Sequence, residues 1–325
     1  SHYLWAVAAG LPAALAARAY IALNAAVSRP VVTMVVNLAA LAAKAPLNAL
    51  LMYGAGPLPP LGGAGCGVAT ALLMWLMLSA YVLLWRLDPF YRRFAAPAGA
   101  PRRPQWSRQR ELLRLGVPSG AMTMIEVTSF TMITLLLARF GAATVAGHRI
   151  VADIVTLLFM LPLAYGVAAS VLVAQALGSG APAAARRVAL RGYPHAVAAA
   201  LLAADAVYLL RGPLVGLFTT DPAVAAVAVG LIGLALLFHL FDAVQGVAGF
   251  ILRGYKVAFV PMLIHGATLW IIGLGGGVWL AYRPPAQWPL APAPSFWLAA
   301  AFGLAIAAAA LSVLADYVAR SRAAK

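Results

Sequence analysis

Long apolar stretches follow one another along almost the whole 325-residue chain, separated by short polar segments. Nine of these stretches reach the length of about 20 residues that a helix needs to cross a bilayer. They cover residues 3–27, 31–54, 62–85, 112–137, 145–177, 188–210, 223–251, 257–282 and 296–318. The pattern predicts an all-α integral membrane protein, a polytopic bundle of nine transmembrane helices.

The composition excludes a soluble protein. Hydrophobic residues make up 64% of the chain and charged residues only 10%, whereas soluble domains carry about 25% charged residues. The single cysteine, Cys66, forms no internal disulfide and no CxxC metal site. The chain lacks the short motifs of hydrolases, metalloproteases and nucleotide-binding enzymes, so we expect no enzymatic activity and no cofactor.

Lys and Arg outnumber Asp and Glu by 23 to 8. Such an excess is typical of nucleic-acid-binding proteins, but in a membrane protein basic residues collect in cytoplasmic loops. When residues 86–114 are placed inside the cell, seventeen Lys and Arg fall on the cytoplasmic side and four outside. This distribution predicts a cytoplasmic C-terminus and an external N-terminus, and no nucleic-acid partner.

The longest polar stretch runs from Asp88 to Glu111 and is rich in Arg and Pro. It separates three predicted helices from six, and its charge and proline content favour an extended linker. The sequence therefore predicts a boundary between two lobes, with helices in 1–87, a cytoplasmic linker in 88–110 and a second lobe in 111–325.

Four acids fall inside predicted spans: Glu126, Asp153, Asp205 and Asp242. A charged side chain near the bilayer centre costs about 2.5–3.5 kcal/mol on insertion scales, so it normally faces a protein interior or a wet cavity. We interpret these acids as candidate functional residues. Asp205 lies on a span with no further signal and is interpreted as a helix-contact or interfacial acid.

Several sequence runs resemble the multidrug and toxic compound extrusion (MATE) transporters, especially those of the bacterial NorM type. These runs are KAPLNALLMYG at 44–54, LGGAGCGVAT at 61–70, GVPSGAMTMIE at 116–126, VAGHRI at 145–150, LLFMLPLAYGVAASVLVAQALGSG at 157–180 and FDAVQGVAGFILRGYK at 241–256. The resemblance implies two six-helix lobes, in which the nine spans correspond to helices four through twelve. On this basis we expect the first three helices to be absent and residues 1–87 to be the remainder of the first lobe.

The resemblance further implies a monomeric antiporter of the bacterial inner membrane. Such a protein exports amphipathic, often cationic, compounds and is driven by inward flow of sodium or protons. Glu126 and Asp242 match acids of the second-lobe cation site of this family, and sodium is the only metal ion expected there. A purely structural polar contact between helices is the alternative role for each acid.

Three further residues are assigned to the same region. Asp153 stands where many relatives have Asn, and it adds a third carboxylate to the cation site or pairs with Arg149 one turn earlier. Phe159 offers a ring face to an organic cation or packs in the core. Gln245 lies one turn beyond Asp242 and hydrogen-bonds substrate or a neighbouring helix.

Lys44 and Asn48 share one face of a first-lobe helix and are assigned to the substrate cavity. In another branch of the family, these two positions resemble the Asn and Asp of a first-lobe proton site. This sequence has Lys and Asn there, so the resemblance does not extend to a first-lobe carboxylate site. Lys44 pairs with an acid on a helix outside this sequence, or desolvation keeps it neutral. Two other functions remain open for the whole chain: a flippase for lipid-linked or polysaccharide precursors, and a non-transporting membrane interaction subunit.

Overall fold

The computed structural model describes residues 2–54, 59–94, 105–285 and 287–324. In these residues it contains helices and connecting segments and no strand, as expected for an all-α protein. The α-helices are α1 His2–Ala26, α2 Pro30–Tyr53, α3 Gly63–Leu87, α4 Pro89–Arg92, α5 Trp106–Leu137, α6 Ala142–Gly178, α7 Pro182–Leu209, α8 Arg211–Gly216, α9 Pro222–Gly254, α10 Phe259–Gly266, α11 Gly276–Tyr282 and α12 Pro292–Ala323. A 3₁₀ turn, Ala138–Phe140, follows α5, and a π-helix, Ala267–Gly275, joins α10 to α11.

All nine predicted spans are helical. Within the described residues, eight helical segments are long and apolar enough to cross a membrane, and α10, the π-helix and α11 together form one of them. The predicted span 188–210 corresponds to α7, which is not among the eight. Its arginines and Asp205 lower the apolar content of an otherwise alanine-rich helix.

The chain divides into two compact units, residues 1–103 and 104–325. The predicted linker 88–110 is not entirely extended, because α4 and the first turn of α5 lie within it. Residues 95–104 of that linker lie outside the described part of the chain.

The first unit contains α1 to α4. α1 packs mainly against α3, and the contact is close because glycine leaves room for it. A Cβ placed on Gly10 would lie 2.8 Å from the Ala71 Cα atom. At the end of α3, Asp88 accepts a hydrogen bond from the Phe90 backbone N–H and caps α4. The Asp88 carboxylate also pairs with Arg29, which ties this end of α3 to the start of α2.

The second unit is built around α9, which packs against α6 on one side and α12 on another. Its core contains large side chains that are almost fully buried, among them Leu231, Phe238, Trp297 and Leu304. Gly166 permits the close approach of α6, since a Cβ there would lie 2.6 Å from the Phe250 ring. Pro162 lies inside α6, which continues to Gly178.

The π-helix and α11 each donate a hydrogen bond to α5. The Trp270 indole N–H donates to the Ile125 carbonyl at 3.2 Å, and the Tyr282 hydroxyl donates to the Leu136 carbonyl at 2.7 Å. These two bonds fix the C-terminal half of α5 at points eleven residues apart. Since Ile125 precedes Glu126, the backbone of this predicted site residue is held in place.

Candidate functional site

A cavity of about 530 Å³ lies within the second unit and is lined by three helices. α5 contributes Thr123, Glu126, Val127, Phe130, Thr131 and Thr134, and α6 contributes His148, Arg149, Ala152, Asp153, Thr156 and Phe159. α9 adds Phe238 and Asp242. The residues from α5 recur at intervals of three and four, as expected for one face of a helix. The cavity therefore contains four of the seven residues that the sequence assigns to ion or substrate binding.

Glu126 and Asp242 are the two carboxylates of this cavity without a basic partner. Asp242 is only 4% exposed, and Glu126 is half-buried. Among the described residues, neither forms an ion pair. A buried carboxylate that lacks a cation is costly unless it is protonated or binds a positive guest. The site thus has the chemistry needed to bind a proton or another cation.

Gln245 orients Asp242. Its side-chain Nε2–H donates to Asp242 Oδ1 at 2.9 Å, and the Gln245 side chain is itself buried. Gln245 does not line the cavity. Its Oε1 atom accepts no hydrogen bond from the described residues. Gln245 contacts the Asp242 carboxylate but not the cavity. It therefore acts on a guest by positioning Asp242.

Asp153 makes the ion pair that the sequence offered as one of two alternatives, and its part in a cation site stays a prediction. Its carboxylate lines the cavity and also forms an ion pair with Arg149, with Nη2 and Oδ1 2.9 Å apart. Both side chains are much more exposed than Asp242, at 68% for Arg149 and 43% for Asp153. Arg149 therefore supplies the charge that compensates this third carboxylate.

The remaining wall is aromatic. Phe159 lines the cavity, and its ring lies over Gly246 of α9, where an added Cβ would approach it to 3.1 Å. Phe159 is therefore both a packing residue and part of the cavity surface. Phe130 and Phe238 contact each other edge to face, with ring centroids 5.5 Å apart. Such rings bind the apolar part of an amphipathic molecule and attract cations through their faces.

His148 forms an uncharged part of the wall. The Trp297 indole N–H, which can only donate, lies 3.2 Å from His148 Nδ1, so Nδ1 is an acceptor. The one ring proton is then on Nε2, which faces Thr134 Oγ1 at 3.2 Å. His148 is 1% exposed. Sequence reasoning assigned no role to His148 or to the cavity threonines, although their helical spacing from Glu126 and Asp153 was the signal that could have revealed them.

Lys44 and Asn48 lie on α2 in the first unit and do not line this cavity. Lys44 is exposed and Asn48 is half-buried, with its Oδ1 atom lacking a hydrogen bond from the described residues. Lys44 forms no ion pair with any described residue. Their assignment to the substrate cavity stays a prediction.

The other acids have different surroundings. Glu111 pairs with Lys256 at 2.6 Å, and Asp316 pairs with Arg320 at 2.6 Å. Asp221 caps α9 by accepting from the Ala223 backbone N–H. Asp205 is exposed on α7 and makes no ion pair with a described residue. In the described part of the chain, no three His, Cys, Asp or Glu side chains form a metal-binding group.

A bundle of apolar helices around an acidic and aromatic cavity is the architecture of a membrane transport protein. The MatE family model matches residues 118–279, which include Glu126, Asp153 and Asp242. The probable multidrug resistance protein NorM of Aromatoleum aromaticum is 42% identical over 303 residues, covering 91% of this chain and 64% of the relative. The probable multidrug resistance protein NorM of Chromobacterium violaceum is 37% identical over 325 residues, covering 98% of this chain and 68% of the relative.

A solved structure agrees with these relatives. The MATE transporter NorM-NG, determined in complex with a monobody, matches with a TM-score of 0.78 and 33% identity, over 91% of this chain and 63% of that chain. The chain belongs to the MATE family of multidrug and toxic compound extrusion proteins, and it is a multi-pass membrane protein. It spans about two thirds of the length of the curated relatives it matches.

Proposed function

We propose that the protein is a cation-coupled antiporter that exports amphipathic, often cationic, compounds across the bacterial inner membrane. The observation that carries the proposal is the pairing of two carboxylates, Glu126 and Asp242, in one cavity without a basic partner among the described residues. The two curated relatives are named probable multidrug resistance proteins, which supports this class of substrate.

The chemistry of the exchange follows from charge. When both carboxylates are ionised, a positive guest relieves their mutual repulsion and the cost of burying the Asp242 charge. A proton or sodium ion does the same, so the coupling ion and the organic cation compete for the same negative charge. Entry of one favours release of the other, which is the requirement for antiport.

The aromatic surface supplies affinity for the apolar part of the substrate. Phe130, Phe159 and Phe238 line the cavity beside the carboxylates. Apolar contact with rings requires no fixed hydrogen-bond pattern, which suits compounds of varied shape. In the proposed cycle the two lobes alternate between inward-facing and outward-facing states around this site.

A flippase function has less support. A groove for an anionic lipid-linked precursor requires free basic side chains. In the described cavity wall the arginine is Arg149, and its guanidinium is paired with Asp153. We therefore retain export of cationic compounds as the proposed function.

The experiment compares isosteric variants in an efflux-deficient bacterial strain that expresses the gene encoding this chain. Glu126→Gln and Asp242→Asn each remove one negative charge from the cavity with little change in shape. We expect each to reduce efflux of a cationic dye about tenfold or more, because an interaction with a charged group is lost. Drug susceptibility should rise in parallel.

Asp205→Asn is the matched control, since Asp205 is an exposed acid on α7 outside the cavity. It should leave efflux at the native level. Unchanged efflux in both cavity variants would show that the assigned site is wrong. If the strain that expresses the native protein exports none of the cationic compounds tested, the export function itself is contradicted.

A further inference from the structure

Two threonine hydroxyls of the cavity have already used their hydrogens in bonds to the backbone. Thr131 Oγ1 donates to the Val127 carbonyl at 2.8 Å, and Thr156 Oγ1 donates to the Ala152 carbonyl at 2.8 Å. A hydroxyl has one hydrogen and two acceptor lone pairs. Towards the cavity, each of these hydroxyls can therefore act only as a hydrogen-bond acceptor.

Thr134 and His148 also lack a free donor. Thr134 Oγ1 donates to the Phe130 carbonyl at 2.9 Å and lies 3.2 Å from His148 Nε2. Since Trp297 donates to His148 Nδ1, the single proton of the neutral ring is on Nε2 and is directed at Thr134. The histidine is thus satisfied on both sides, with no N–H left for a guest.

The other polar groups of the cavity complete this pattern. Ionised Glu126, Asp153 and Asp242 are acceptors only. The donors among the described lining residues are the Thr123 hydroxyl and Arg149, and Arg149 is already paired with Asp153. The polar surface of the cavity consequently offers many acceptors to a guest and few donors.

We propose that this cavity selects organic cations that carry N–H groups, such as primary ammonium and guanidinium compounds, over quaternary ammonium compounds of the same skeleton. The inference rests on the proposed function and narrows its substrate class. A quaternary ammonium can use the aromatic faces and the net negative charge, but it has no hydrogen to donate. An N–H cation uses those same features and also bonds to the threonine and carboxylate oxygens.

The acceptors lie on two facing elements of the site. Thr131 follows Glu126 by five residues on α5, and Thr156 follows Asp153 by three residues on α6. At a rise of 1.5 Å per residue, Glu126 and Thr131 are about 7.5 Å apart along the helix axis. Several N–H groups of one guest can therefore find oxygen partners at different heights of the cavity.

The test measures binding of two matched probes to the purified protein in lipid nanodiscs at fixed pH and salt. The probes are 4-phenylbutylammonium and its N,N,N-trimethyl counterpart, which share the apolar skeleton and the charge. We expect the primary ammonium to bind about tenfold more tightly, as hydrogen bonds to a charged donor imply. We define the preference as the ratio of the two dissociation constants.

Thr131→Val combined with Thr156→Val removes both acceptors while retaining side-chain shape. This double variant should lower the preference severalfold. Thr131→Ser combined with Thr156→Ser restores the hydroxyls and should restore the preference. The matched control is Thr144→Val, because Thr144 makes the same type of bond, to the Phe140 carbonyl at 3.0 Å, but does not line the cavity.

Each outcome separates the hypotheses. Equal binding of the two probes to the native protein, or a preference that survives in the double valine variant, overturns the inference and leaves the proposed function standing. Failure of both probes to bind the native protein contradicts the proposed function instead. A preference that falls with valine and returns with serine supports the selection of N–H cations.

Discussion

The cavity treats its carboxylates in two different ways. In its exposed part, Asp153 is paired with Arg149 at 2.9 Å, so the charge is balanced by the protein itself. In its buried part, Asp242 is 4% exposed and is bonded to the neutral amide of Gln245. The comparison teaches that an intramembrane acid alone does not define a coupling site. Asp242 and Glu126 differ from Asp153 because neither has a basic partner among the described residues, so a proton or a positive guest can balance their charge.

The largest expected effect is the difference between the two aspartates. Asp242→Asn should reduce cation-driven efflux about tenfold or more, whereas Asp153→Asn should reduce it far less because Arg149 already balances that carboxylate. Efflux from dye-loaded cells, normalised to the amount of protein in the membrane, measures both. Equal losses of efflux in the two variants would show that pairing with Arg149 does not make Asp153 less important than Asp242.

Removing the positive charge of Arg149 tests the same comparison from the other side. Arg149→Ala leaves Asp153 without its partner and makes the cavity more negative. We expect organic cations to bind a few-fold more tightly, because the positive charge that repels them is removed. The effect should be modest, since a partly exposed ion pair is worth about 0.2–1 kcal/mol. Dissociation constants in nanodiscs would show this, and Arg149→Lys, which keeps the positive charge, is the control. Weaker cation binding by the alanine variant would contradict the assigned role of Arg149.

His148 offers a third contrast with Asp242. Both side chains are buried, but both ring nitrogens of His148 have a hydrogen-bond partner. Trp297→Phe removes the indole N–H that donates to His148 Nδ1. An unsatisfied buried acceptor costs about 1–3 kcal/mol, so thermal stability in detergent should fall. Phe296→Leu, a neighbouring buried aromatic substitution without a polar contact, controls for packing loss. A Trp297→Phe variant as stable as the native protein would show that the bond contributes little.

The smallest effect concerns a half-buried acid of the first unit, Asp88. The Phe90 backbone N–H, and then Arg29, lower the pKa of Asp88 below its usual value. Its stabilising contribution is therefore complete above that usual value, about 3.9, and is lost as the pH falls through the lower pKa of the folded state. The native protein should be slightly more stable against unfolding than Asp88→Asn at pH 6. This difference in stability should shrink as the pH is lowered to 3. A difference that grows on acidification would contradict this sign.

Hydropathy predicted most of the fold because a bilayer imposes long apolar helices. The nine predicted spans are helical for this reason, and in the described residues eight of the corresponding segments are long and apolar enough to cross a membrane, α7 being the exception. The π-helix at Ala267–Gly275 was not predictable, since its backbone pattern depends on packing against α5 and α12 rather than on composition.

The site was predicted in part. Glu126, Asp153 and Asp242 could be found because charge is rare in an apolar span. His148, Thr131 and Thr156 were missed because single histidines and threonines in helices more often serve packing. Their contribution depends on which carbonyl or ring each hydroxyl meets, and this information is absent from a linear sequence.

The most direct test of the central claim measures the affinity of one organic cation over a matrix of proton and sodium concentrations. If Glu126 and Asp242 carry the exchange, affinity in the native protein falls as one of these coupling ions becomes more concentrated. In Glu126→Gln combined with Asp242→Asn, the remaining affinity should be independent of both ions. A double variant that keeps the native dependence would show that the competition takes place elsewhere.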